Sequence, residues 1–186
     1  GGGPAPTFCR ALDLSEDLNF RSMVLMNRGA LHFERGEVEL AFKDLNESIG
    51  LNDRSPKVRL ARGQLHVGLG NFQRAYEDYA RAILLDPRSA EAYLHLAQLR
   101  KQQGDPLGAL IEYEKVIELE PGNAMAYNNR GTTYLVEMKK PLQALADFKE
   151  AIRLDPEYAV AYSNRGGAHQ VLDDPRSAAA DYRKYL

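Results

Sequence analysis

"AYSNRGGAHQ" (residues 161–170) restates most of "AYNNRGTTYL" (residues 126–135), sharing Ala-Tyr and then Asn-Arg-Gly at one spacing. Taking the glycine after Asn-Arg as an anchor, its equivalents are Gly29, Gly63, Ala97, Gly131 and Gly166, in steps of 34, 34, 34 and 35. A second small residue follows each anchor, at Ala41, Ala75, Ala109, Ala144 and Ala178. That interval is 12 residues except in the fourth copy, where it is 13, so the extra residue lies in "VEMKKPLQ" (residues 136–143). Leu45, Tyr79, Tyr113, Phe148 and Tyr182 come next, then Ile49, Ile83, Ile117 and Ile152. A register kept through five copies marks an internal repeat, not a biased composition.

Within a copy the apolar residues recur every three or four positions on both sides of a break, as in "AYEDYARAILL" (residues 75–85), which is helical periodicity. Gly36, Gly70, Gly104, Lys140-Pro141 and Asp173-Asp174-Pro175 occupy the breaks and predict tight turns. Pro87, Pro121 and Pro156 stop the second helix of three copies. The expectation is an all-α chain of stacked antiparallel helix pairs with copies at 22–55, 56–89, 90–123, 124–158 and 159–186, the last incomplete. Residues 1–21 read as a lead, flexible or partly helical, with Ser15 in position to cap a helix.

A helix pair of 34 residues, with small anchors, an aromatic in the second helix and a closing proline, resembles the tetratricopeptide repeat. The resemblance covers Ser22 to Leu186. The tryptophan usual near the start of the repeat is replaced by Tyr93, Tyr127 and Tyr162, and by Leu25 and Arg59 in the first two copies. Asp53 stands in place of the first closing proline. The resemblance implies a right-handed superhelical solenoid whose first helices line a concave groove, and arrays of this kind are interaction surfaces.

Composition narrows the partners. Of 186 residues 44% are hydrophobic and 27% charged, a globular balance, and 24 Lys and Arg against 26 Asp and Glu leave a net charge of −2. Nothing in that balance draws the chain to nucleic acid or to anionic lipid. No apolar run is long enough for membrane insertion, and "GGGPAPTF" (residues 1–8) lacks the pattern of a signal peptide. Cys9 is the single cysteine, which fits a reducing compartment and favours the cytoplasm without fixing a location.

Two repeated polar positions need separate explanations. The arginine before the anchor recurs as Arg28, Arg62, Arg130 and Arg165, and a later acid as Asp44, Asp78, Asp147 and Asp181. In the copy where Leu96 replaces arginine the acid is Glu112, a correlation that predicts an architectural pair between the two helices. Two residues before the anchor stand Asn27, Ala61, His95, Asn129 and Asn164. In superhelical relatives asparagines at this register hold the backbone of a bound peptide, and an amide offers the donors and acceptor this requires.

The peptide-binding residues expected on the groove are Met26, Asn27, Phe33, Gln64, His95, Gln98, Asn128, Asn129, Thr132, Asn164 and Gln170. This mixture of amides with Met and Phe suits a protein or peptide carrying apolar anchors. The clamp with which relatives hold the acidic C-termini of chaperones needs Lys three before the anchor, where Met26, Leu60, Leu94, Asn128 and Ser163 stand, and Arg two before it in its third copy. That acidic ligand is therefore not expected.

His32, His66 and His169 share one register, but register equivalents lie a helix spacing apart and do not converge on a metal, so they read as packing residues. With no phosphate loop and no nucleophile, base and acid set, neither catalytic residues, metal nor cofactor is expected, and the chain reads as a scaffold or adaptor, not an enzyme. Alternatives are a recruitment module of a larger multidomain enzyme and a self-assembling unit. The last copy ends at "DYRKYL" without a polar capping helix, which predicts either a fragment of a longer protein or homo-oligomerisation through the uncapped end.

Overall fold

The computed structural model describes Phe8 and residues 15–185. Cys9, most of the 1–21 lead and Leu186 lie outside the described residues. Among the described residues the elements are ten α-helices: α1 (Leu18–Glu34), α2 (Val38–Leu51), α3 (Pro56–Gly68), α4 (Phe72–Leu85), α5 (Ala90–Gln102), α6 (Pro106–Leu119), α7 (Ala124–Val136), α8 (Pro141–Leu154), α9 (Ala159–Val171) and α10 (Pro175–Tyr185). Two compact units divide the chain, residues 1–92 and 93–186, and α5 begins in one and continues in the other. In the first unit α1 packs on α2, α2 on α3, α3 on α4, and α1 on α3. In the second α6 packs on α7, α7 on α8, α8 on α9, α9 on α10, and α7 on α9.

Helix ends follow from local chemistry. Pro56, Pro106 and Pro141 occupy the first turns of α3, α6 and α8, where the missing N–H costs nothing. Asp105 caps α6 by accepting from the Gly108 N–H at 2.9 Å, and Asn123 caps α7 by accepting from Ala126 N–H at 3.0 Å. The cap of α1 is Asp17, not Ser15: its Oδ1 accepts from Asn19 N–H at 2.8 Å, while Ser15 Oγ accepts from Asp17 N–H at 3.2 Å. Both residue types suit a cap, but the helix starts at Leu18, which puts Asp17 at the capping position.

Each described turn between paired helices needs one left-handed residue. Gly36, Gly70 and Gly104 supply it with φ of 75°, 72° and 75°, at no steric cost. Lys139 and Asp173 adopt φ of 54° and 58° in the last two turns. The extra residue of the fourth copy is absorbed here, in a turn that keeps the left-handed residue.

The anchors let paired helices approach closely. A Cβ on Gly131 would lie 2.8 Å from Phe148 Cε1, and one on Gly166 2.7 Å from Tyr182 Cε1. Gly29 meets the smaller Leu45, whose Cγ would be 3.0 Å away. Ala97 instead packs with Ala109 and Tyr113 in one buried cluster. Every copy thus sets a small residue against a large one from its second helix, and full burial of a ring like Phe148 contributes about 1.5–3 kcal/mol.

Candidate functional site

The arginine and aspartate of each matching copy meet as a two-point fork. Nε and Nη2 donate to the two carboxylate oxygens at 2.6 and 2.7 Å in Arg28–Asp44, and at 2.8 and 2.7 Å in Arg62–Asp78. The values are 2.9 and 2.7 Å in Arg130–Asp147, and 2.8 and 2.5 Å in Arg165–Asp181. All four carboxylates are buried, which makes the fork a fixed joint between paired helices. Arg130 and Arg165 also lie over the rings of Tyr127 and Tyr162, 5.6 and 5.4 Å from their centroids.

In the third copy the acid keeps a cation, but from a different position. Arg100, one helical turn beyond Leu96, brings its Nε to 3.2 Å from Glu112 and its Nη1 to 2.8 Å from Asp105. Burial pushes the Glu112 carboxyl above its ordinary range, against the pull of Arg100. Arg100 shares the register of the three histidines, and two of them, His32 and His169, have related surroundings. His32 Nδ1 pairs with Glu37 and its Nε2 lies 3.6 Å from Asp44, while His169 lies 3.5 Å from Asp174 and 3.9 Å from Asp181. His32, Arg100 and His169 therefore do more than pack: each lies between the interhelical acid and the acid of the following turn.

The first-helix face of the N-terminal unit holds a cleft of about 320 Å³ between α1 and α3, lined by Met26, Asn27, Ala30, Leu60, Ala61 and Gln64. Lys57 and Glu91 add one charge of each sign. A smaller cavity of about 140 Å³ adjoins these residues, with Phe33 and Gln64 in its wall. Asn27 is exposed and its amide makes no hydrogen bond among the described residues. Met26, Asn27, Phe33 and Gln64 are thus brought together.

In the C-terminal unit the expected residues form a hydrogen-bonded patch across α7 and α9. Asn164 Nδ2 donates to Asn128 Oδ1 at 2.8 Å and to Thr132 Oγ1 at 3.5 Å, and Asn128 Nδ2 donates to Asn129 Oδ1 at 3.4 Å. Thr132 donates to the Asn128 carbonyl at 2.9 Å. Asn128 is buried, whereas Asn129, Thr132 and Asn164 are half-buried. His95 and Gln98 are half-buried on α5, and Gln170 accepts from the Tyr182 hydroxyl at 2.8 Å. Met23, Met125 and Val160 occupy one register on α1, α7 and α9, and each is about half exposed, at 48%, 48% and 47%.

A repeated helix pair with small anchors, forked interhelical pairs and open first-helix faces defines a protein-interaction scaffold. Residues 60–124 and 112–146 match models of the tetratricopeptide repeat, and the chain belongs to the tetratricopeptide-repeat proteins. Its fold is similar to that of MamA from Desulfovibrio magneticus RS-1, with a TM-score of 0.77 at 22% identity over 91% of this chain and 95% of that one. It is also similar to Pseudomonas aeruginosa pilF, with a TM-score of 0.81 at 20% identity over 88% and 74% of the two chains. YrrB, described as a TPR protein with an unusual peptide-binding site, has a TM-score of 0.71 at 19% identity over 97% and 91%. At these identities the likeness is one of fold. Among curated proteins, the Photosystem I assembly protein Ycf3 of Rippkaea orientalis (strain PCC 8801 / RF-1) is 43% identical over 49 residues, which span 26% of this chain and 28% of that protein.

Proposed function

We propose that the chain is a non-catalytic scaffold whose first-helix faces hold an extended segment of a partner protein carrying apolar anchors. The observation that carries this reading is the cleft between α1 and α3, where Met26 and Leu60 lie beside the amides of Asn27 and Gln64. Apolar walls take up side chains of the segment, and the exposed Asn27 amide holds its backbone without reading its sequence. The exposed Met23, Met125 and Val160 supply further apolar contact at the matching register of three copies.

In the second unit the ligand-facing groups are Asn129, Thr132 and Asn164, with His95, Gln98 and Gln170 flanking them. Asn128 holds the Asn164 amide in place, which leaves Asn164 Oδ1 and the Asn129 amide hydrogens to pair with a peptide backbone. The peptide-binding site named for YrrB and the assembly role named for Ycf3 are in keeping with such a task. The test is a tagged pull-down comparing the native chain with N129A/N164A at equal helicity by circular dichroism. Loss of bound proteins from the variant supports the reading, and an unchanged set contradicts the part assigned to these asparagines.

A further inference from the structure

A second cleft of about 460 Å³ lies elsewhere in the N-terminal unit, between α2, α3 and α4. Its walls hold three guanidinium groups, Arg59, Arg62 and Arg74, facing Asp78 and Glu77, with Phe42 and His66 beside them. In this copy Arg59 stands where later copies have Tyr127 and Tyr162, whose rings cover the forked arginine.

The charges do not all find partners. Arg62 is fully committed, with its fork on Asp78 and its Nη1 donating to Asn46 Oδ1 at 2.7 Å. Arg59 Nη1 also donates to Asp78 Oδ1, at a long 3.4 Å, its one hydrogen bond among the described residues. Arg59 Nε and His66 Nδ1 are enclosed without a hydrogen-bond partner, a costly state for polar atoms. Arg74 makes no hydrogen bond or ion pair among the described residues, and the exposed Glu77 accepts from Gln73 at 3.3 Å. Burial, with Arg62 and Arg74 adding to it against Asp78 and Glu77, holds the His66 imidazole below its ordinary value. Three guanidiniums against two carboxylates leave one positive charge.

We propose that this cleft is a second binding site, separate from the first-helix face, for an acidic side chain of a partner protein, taken as its carboxylate by Arg59 and Arg74. Guanidinium groups match a carboxylate in shape, and a single negative charge balances the surplus of one. A dianion would overshoot that balance beside Asp78 and Glu77. Ligand pockets for small molecules are enclosed and mostly apolar, whereas this cleft is charged and reaches the surface at Arg74 and Glu77, which suits a side chain presented by a polypeptide. Phe42 offers a face to an apolar residue next to the acid.

The probe is an acetylated and amidated Ala-Phe-Glu-Phe-Ala peptide, with its Gln analogue and inorganic phosphate as comparisons, titrated into the full chain. The readout is the arginine Nε–Hε signals in nitrogen–proton spectra, assigned with R59Q and R74Q. The Glu peptide is expected to shift the Arg59 and Arg74 signals saturably, with the Gln analogue and the R74Q variant each weaker by about tenfold. R74Q removes an exposed group without bonds, so its helicity is expected to match the native chain. Equal binding of the Glu and Gln peptides, full binding by R74Q, no shift with either peptide, or saturation by phosphate alone would each overturn the proposal.

Discussion

Arg130 holds Asp147 through two donors, Nε at 2.9 Å and Nη2 at 2.7 Å, on a carboxylate whose side chain is 7% exposed. The pair ties α7 to α8 as its equivalents tie the other matching helix pairs. Removing the cation alone strands a buried negative charge, so R130L is expected to lower the unfolding free energy by about 2–4 kcal/mol. R130L/D147L, which leaves no orphan charge, is expected to lose less than R130L does. Urea unfolding of both variants checks the coupling, and equal losses would show that the fork does not act as a unit.

Gly131 sits where a Cβ would meet Phe148 at 2.8 Å. G131A is expected to cost about 1–3 kcal/mol through overpacking. The first copy shows the remedy, since Gly29 faces leucine there. Adding F148L should restore part of the loss, as read by thermal unfolding of the single and double variants.

The Tyr113 hydroxyl is enclosed without a hydrogen-bond partner, and burial pushes its pKa up to about 12. The fourth copy carries Phe148 at the same register. Y113F is therefore expected to leave stability unchanged or raise it by about 1 kcal/mol, since an unpaired buried polar group is removed. A clear loss of stability would mean that the hydroxyl has a partner after all.

The carboxyl of Asp105 is held below its ordinary value, first by the Gly108 N–H and then by Arg100. A folded value below the unfolded one means that the cap stabilises above the unfolded range, and that this is lost as pH falls through the folded value. Thermal unfolding should thus show D105A less stable than the native chain at neutral pH, with the gap narrowing towards about pH 3. A gap that stays constant with pH would remove charge from the explanation.

Features carried by every copy are legible in the sequence, because five repetitions act as an internal comparison. The anchors, the helix pairs and the exchange of Arg–Asp for Leu96–Glu112 all declare themselves by register. Features of one copy do not. Arg59 is visible only as a departure from the aromatic position, and Arg74 matches nothing at its register, so the cleft they share needs coordinates. The pairings of the turn acids Glu37, Asp105 and Asp174 escape a helical-register reading because their partners lie five residues back, across a helix end. The spacing of His32, Arg100 and His169 to those acids is the signal that connects them.

The burial of Asn128 escapes a register reading for a related reason. Its position faces outward by helical period, yet Asn164 on the neighbouring first helix covers it and takes its Oδ1. Whether an amide is offered to a ligand or spent within the protein depends on that neighbour.

The most direct measurement is site-specific photocrosslinking in cells with benzoylphenylalanine at Asn27, on the first-helix face, and at Leu84, which is 67% exposed on α4. Partner adducts are expected from position 27 and not from position 84. Adducts from position 84 alone, or equally from both, would contradict the first-helix face as the working surface.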